Sequence, residues 1–205
     1  MKRVAVVDYG MGNLDSVARA IEECGGRPIV TDRAEDIESA THIVLPGVGA
    51  FGDGIRNVRQ RGLDQILREQ AVVGGIPFLG ICLGMQMLAT RGHEGGVTEG
   101  LGWIDGEVRR LEPAGEDSRV PHIGWNEVAL TRPSTLFTGV DSGHDFYFVH
   151  SYHLVCHDKE DVLAVTPHCG GFVSAIARGR IFGVQFHPEK SQRLGLRVLS
   201  NFLAL

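Results

Sequence analysis

The chain has 205 residues, 43% hydrophobic and 22% charged, with a net charge of -5. Such a length suits one domain with a sizeable core, and such a charge supplies no basic field for nucleic acid or an anionic membrane. No apolar run approaches the roughly 18 residues that span a bilayer, so neither nucleic acid nor membrane is an expected partner.

The opening "MKRVAVVDYG" has a short basic flank but too brief an apolar run for a signal peptide. "RVAVVDY" reads instead as a first strand. In the segment that follows, Leu14, Val17, Ala18 and Ile21 recur at the spacing of one helix face, and Gly25 is a plausible stop. "RPIVT" and "HIVLP" read as the second and third strands. Ile55, Val58, Gly62 and Ile66 then predict a helix over 55–67. "PFLGIC" is a fourth strand, and "LGMQMLAT" a helix after it. Short apolar strands alternating with helices predict a parallel sheet covered on both faces.

From about Val97 the character changes to short β-rich runs and turn residues, with little helical period. "FVSAIARGRIFGVQF" predicts a hairpin turning at Arg178-Gly179. A last helix begins after Ser191, a candidate N-cap, with Leu194, Val198, Leu199, Phe202 and Leu203 on its apolar face. No repeat, low-complexity tract or linker interrupts the chain. The expectation is a single α/β domain over 1–205, with a mostly parallel central sheet, flanking helices and antiparallel additions in the C-terminal half.

The four cysteines (Cys24, Cys82, Cys156 and Cys169) form no disulfide framework and no Cys-x-x-Cys pair. They read as reduced thiols of a cytoplasmic protein. Cys82 stands apart. "GICLG" has the form of a nucleophile elbow, with cysteine where serine is usual. A sharp strand-to-helix turn needs small residues two positions either side. It presents the sulfur at a helix N-terminus, and the next backbone N–H, that of Leu83, toward an oxyanion. The alternative is a buried, inert cysteine packed between glycines.

A cysteine nucleophile needs a base held by a third group. "FHPE" offers His187 and Glu189 two positions apart, at the end of a predicted strand. In an extended chain they share a face, so the carboxylate can set the imidazole's tautomer. Thiol and imidazole then both sit at C-terminal strand ends, where sites of open α/β sheets gather. For a thiol in general, full ionisation gains roughly thirtyfold in thiolate at neutral pH, whereas one oxyanion donor is worth about 100- to 1,000-fold.

Gly47-x-Gly49-x-x-Gly52 matches a dinucleotide-binding fingerprint on its face, but it follows the third strand and lacks the acidic partner downstream. Tight turns are the plainer explanation, and a third reading is that Val48 or its neighbours present a backbone N–H to the site of Cys82. His153 and His157 lie four apart in a strand-like run, too far for shared metal ligation, so no metal is expected.

Taken together, "DYGMGNL", "LPGVGAFGDG", "GICLGMQML", "VPHIGWNEV", "FYFVHSY" and "FHPEKS" resemble the class I (triad) glutamine amidotransferases. Within them they resemble the glutaminase subunits of imidazole glycerol phosphate synthase. The resemblance implies a flavodoxin-like amidotransferase fold, no cofactor, and hydrolysis of L-glutamine through a thioester on Cys82. It implies His187 and Glu189 as the rest of the triad, and Val48 and Leu83 as oxyanion donors. It places Gly47, Gly49, Gln86, Ser151 and Tyr152 around glutamine, and Asn13, Trp125, Tyr147 and Lys190 toward a (β/α)8-barrel cyclase that receives the ammonia. From the residues alone, an elbow-cysteine hydrolase of another substrate and a nucleotide-binding regulatory module remain as alternatives.

Overall fold

A computed structural model describes residues 2–114 and 119–205. The first half alternates as expected: β1 (Arg3–Val7), α1 (Leu14–Glu23), β2 (Arg27–Thr31), α2 (Ala34–Glu38), β3 (His42–Gly47), α3 (Phe51–Gln60), α4 (Leu63–Leu67) and β4 (Phe78–Cys82). A four-residue helix, α5 (Leu83–Gln86), leads into β5 (Ala89–Gly92), β6 (Thr98–Glu99) and β7 (Ile104–Arg110). The rest is β8 (His122–Leu130), β9 (His144–His150), β10 (Tyr152–Cys156), β11 (Val162–Thr166), β12 (Phe172–Arg178), β13 (Ile181–Val184) and the closing helix α6 (Gln192–Leu203).

Nine strands form one sheet in the order β2-β1-β3-β4-β13-β12-β11-β8-β9. Pairings from β2 through β13 are parallel, and those from β13 to β9 are antiparallel. Strands β10, β7, β5 and β6 make a second, four-stranded sheet. Alternation along β1 shows why the central strands are apolar throughout. Val4 and Val6 pack with α1 and α6 on one face, while Ala5 and Val7 pack with α3 and α4 on the other. A strand buried on both faces has no polar side to display.

Four sequence expectations need correction. The helix expected over 55–67 is two helices, because Gly62 is left-handed (φ +68°) and exposed, a joint rather than a core position. A π-helical turn, Arg68–Val73, follows α4. The helix expected from "LGMQMLAT" stops at Gln86. There the Leu88 carbonyl accepts the N–H groups of Trp103 and Ile104, and Ala89 accepts that of Gly102. Pairing with β7 overrides the local helical preference. The late hairpin turns one residue later than expected, at Gly179-Arg180, with Arg178 paired to Ile181. Ser191 precedes α6, but its hydroxyl caps nothing in that helix. It serves the site instead.

Candidate active site

Parallel pairing aligns the ends of the central strands. Gly47, the last residue of β3, is the register partner of Cys82, the last residue of β4. Beyond the end of β13 lies His187. The sheet therefore delivers a glycine, a thiol and an imidazole to one edge.

Cys82 has φ 53° and ψ −108°, a strained conformation for an L-residue. Its flanking glycines make that geometry possible. A Cβ on Gly84 would lie 1.7 Å from the Leu45 carbonyl oxygen, and one on Gly80 would lie 2.7 Å from the Gly84 carbonyl. Leu83 opens α5, so its N–H has no acceptor inside that helix. The Cys82 side chain is buried, with Sγ 3.5 Å from Gln185 Nε2 and 4.0 Å from the Val149 carbonyl oxygen.

His187 is fastened on three sides. Its N–H donates to the Tyr147 carbonyl (2.9 Å), and its own carbonyl accepts from Ser191 Oγ (2.6 Å). Ser191 Oγ in turn accepts the Tyr147 N–H at 3.0 Å. His187 Nδ1 lies 2.8 Å from Glu189 Oε1, and the two side chains are 3% and 1% exposed. A carboxylate at Nδ1 fixes that nitrogen as the donor and leaves Nε2 for the reaction. Burial acts to lower the His187 pKa; Cys82 and Glu189 together outweigh it and hold the value at about 10. No group among the described residues accepts or donates at His187 Nε2 within hydrogen-bond distance, although Cys82 is near enough to govern its electrostatics.

Above Cys82 lies a pocket of about 260 Å³, lined by Val48, Gly49, Leu83 and Gln86 on one side and by Val149 to Tyr152 on the other. Larger hollows, of about 730, 600, 410 and 400 Å³, lie elsewhere and are not lined by Cys82. Gln86 Nε2 donates to the Tyr152 carbonyl (2.8 Å) and to Gln185 Oε1 (3.0 Å), tying α5 to β10 and to the residue after β13. Gly47 is buried behind the pocket, whereas Val48 is 41% exposed and Gly49 has φ +118°.

Three of the four residues suggested to face a partner are neighbours in space. Trp125 and Tyr147 are cross-strand neighbours in the β8–β9 pair, with ring centroids 6.0 Å apart. Lys190 Nζ sits 5.8 Å from the centre of the Tyr147 ring. Asn13 is exposed at the start of α1, which packs on the turn carrying Lys190. Trp125 is 47% exposed and Ile123, on the same strand face, is 61% exposed.

Three residues near the site were missed in the sequence. Gln185 carried a faint signal, since it stands two before His187 in "VQFHPE". Glu94 carried none. It lines the pocket, and its carboxylate accepts the Phe51 N–H at 2.8 Å. That places a negative charge at the start of α3, where the dinucleotide reading of the Gly47–Gly52 loop needs a phosphate. The third, Tyr9, lies against Gly47. Among the described residues no group of three or more His, Cys, Asp or Glu gathers closely enough to hold a metal. His157 Nδ1 instead meets Asp105 Oδ1 at 3.1 Å. No helix among the described residues is long and apolar enough to cross a membrane.

A family model described as "Glutamine amidotransferase class-I" matches residues 5–205. The chain belongs to the class-I glutamine amidotransferases. Among amidotransferase relatives, it is 50% identical over 202 residues to "Imidazole glycerol phosphate synthase subunit HisH" of Moorella thermoacetica, covering 98% of this chain and 94% of that one. It is 45% identical over 204 residues to "Imidazole glycerol phosphate synthase subunit HisH 1" of Campylobacter jejuni, covering 98% and 100%. Solved structures share the amidotransferase fold at lower identity. "Structure of PurLQS from Thermotoga maritima" aligns with TM-score 0.73 at 20% identity, covering 100% of this chain and 99% of that one. "Crystal structure of glutamine amidotransferase" aligns with TM-score 0.74 at 18% identity, covering 98% and 99%.

Proposed function

We propose that the chain, as one amidotransferase domain over 1–205, is the glutaminase subunit of an imidazole glycerol phosphate synthase. Support comes from relatives of that name, similar along their whole length. The observation that carries the chemistry is the strained Cys82 at the same sheet edge as the His187–Glu189 pair.

Cys82 as thiolate attacks the side-chain amide carbon of L-glutamine. The oxyanion that forms accepts from the N–H groups of Leu83 and Val48. His187 gives its Nε2 proton to the leaving nitrogen, the C–N bond breaks, and ammonia departs from a γ-glutamyl thioester. His187 then takes a proton from water, which attacks the thioester and releases glutamate. Glu189 holds the imidazole in the tautomer that both steps need. Gly47, Gly49, Gln86, Ser151 and Tyr152 line or back the glutamine pocket.

The ammonia passes to a cyclase subunit of (β/α)8-barrel form, docked as a heterodimer partner on the face of Asn13, Trp125, Tyr147 and Lys190. There it is used to make imidazole glycerol phosphate and aminoimidazole carboxamide ribotide in histidine biosynthesis, in the cytoplasm. The Val48 peptide lies between two glycines and is exposed, so docking is what turns its N–H into the hole. In this reading the isolated chain is nearly silent.

A glutamine-mimicking diazo ketone tests the reading. It should alkylate Cys82 alone among the four cysteines, with glutamine protecting. Labelling that glutamine does not slow would point to a hydrolase of another substrate.

A further inference from the structure

The strands β1, β3 and β4 lie side by side, and each ends in a residue near the site. Past β1 comes Tyr9, at the end of β3 is Gly47, and at the end of β4 is Cys82. Tyr9 is 0% exposed, and among the described residues its hydroxyl finds no hydrogen-bond partner. Buried hydroxyls are normally satisfied, so this one calls for an explanation.

Its position supplies one. A Cβ on Gly47 would lie 1.9 Å from Tyr9 Oη and 3.0 Å from Leu83 Cβ. The phenol oxygen therefore occupies the space left by the missing side chain, hard against the Gly47 backbone. Leu83, the other residue of the oxyanion hole, borders the same space. Burial first, and then the nearby Cys82, push the Tyr9 pKa far above its usual value, so the hydroxyl keeps its proton as a donor. The Gly47–Val48 peptide adjoins this oxygen and offers it a carbonyl acceptor. If that peptide turns to aim its N–H at the substrate, its carbonyl must swing the other way.

We propose that Tyr9 is a positioning residue: its hydroxyl hydrogen-bonds the Gly47–Val48 peptide when that peptide turns to complete the oxyanion hole. The inference rests on the glutaminase reading above. In the resting form the hydroxyl is unsatisfied, and in the turned form it is paired, so a buried cost is relieved in the active state. Tyr9 acts only through the peptide and touches no substrate.

Tyr9→Phe keeps the ring and its packing. With the cyclase subunit bound, the expected result is a loss of roughly tenfold in glutaminase kcat, the worth of one hydrogen bond, with KM for glutamine within about twofold. The isolated variant should melt no lower than wild type, and roughly 2–4 °C higher where the removed hydroxyl was a net cost. An unchanged kcat, a loss carried by KM, or a lowered melting temperature would each overturn the proposal. Ammonia release by the wild-type complex is measured alongside. Absence of that release would overturn the glutaminase reading itself, whereas its presence with an unaffected Tyr9→Phe removes only Tyr9's role.

Discussion

Glu189 Oε1 stands 2.8 Å from His187 Nδ1, with neither side chain more than 3% exposed. So enclosed a carboxylate has one evident task, to hold the imidazole. Glu189→Gln keeps the shape but permits the wrong tautomer, and kcat with the cyclase present should fall by about 100-fold or more. A change under threefold would show that the imidazole is oriented by something else.

The same pair predicts a dependence of stability on pH. Its neighbours raise the His187 pKa from 6.5 to about 10 in the folded chain. The associated stabilisation is therefore complete below 6.5 and is lost as pH rises through about 10. The wild-type advantage in melting temperature over His187→Asn should narrow across that window. A constant advantage would mean that the folded chain holds the imidazole neutral.

The elbow glycines make a steric prediction. Gly84→Ala puts a methyl 1.7 Å from a backbone oxygen. Chemical denaturation should show a loss of at least about 3 kcal/mol, or no soluble protein. Gly25→Ala, left-handed but with nothing near its Cβ, should cost only about 1 kcal/mol. A loss at Gly84 no larger than that at Gly25 would mean that α5 shifts to accept the methyl and that its approach to β3 does not require glycine.

Much of this was legible in the sequence, for identifiable reasons. Cys82 and His187 could be paired because each ends a short apolar strand, and parallel strands share one end. Strands β1 to β4 were legible because burial on both faces leaves continuous apolar runs. Lengths and breaks were harder to read. Gly62 fits a helical period by number, and only its positive φ reveals the joint. The short α5 depends on pairing with β7, eighteen or more residues away, which no local pattern encodes. Ser191 looked like a cap because serine often is one; its hydroxyl instead straps His187 to Tyr147. Glu94 and Tyr9 belong to the site only through folding, since one lies in a glycine-rich turn and the other just past a strand.

On the face proposed to meet the cyclase, Trp125 packs edge-on against Tyr147 yet stays 47% exposed. Trp125→Ala should weaken binding to the cyclase subunit by roughly 2 kcal/mol, about thirtyfold in Kd. The isolated chain should lose only about 1 kcal/mol of stability, because about half of the side chain is already exposed. Titration calorimetry against the cyclase checks the first value and urea unfolding the second. Unchanged affinity would move the interface elsewhere.

In the proposed function, Cys82 frees ammonia from glutamine for a docked cyclase. The most direct measurement is turnover of the assembled complex carrying Cys82→Ala, supplied either with glutamine or with ammonium salt. Glutamine-dependent turnover should fall below about one-thousandth of wild type, with ammonium-dependent turnover preserved. Glutamine-dependent turnover at the wild-type rate would contradict that function.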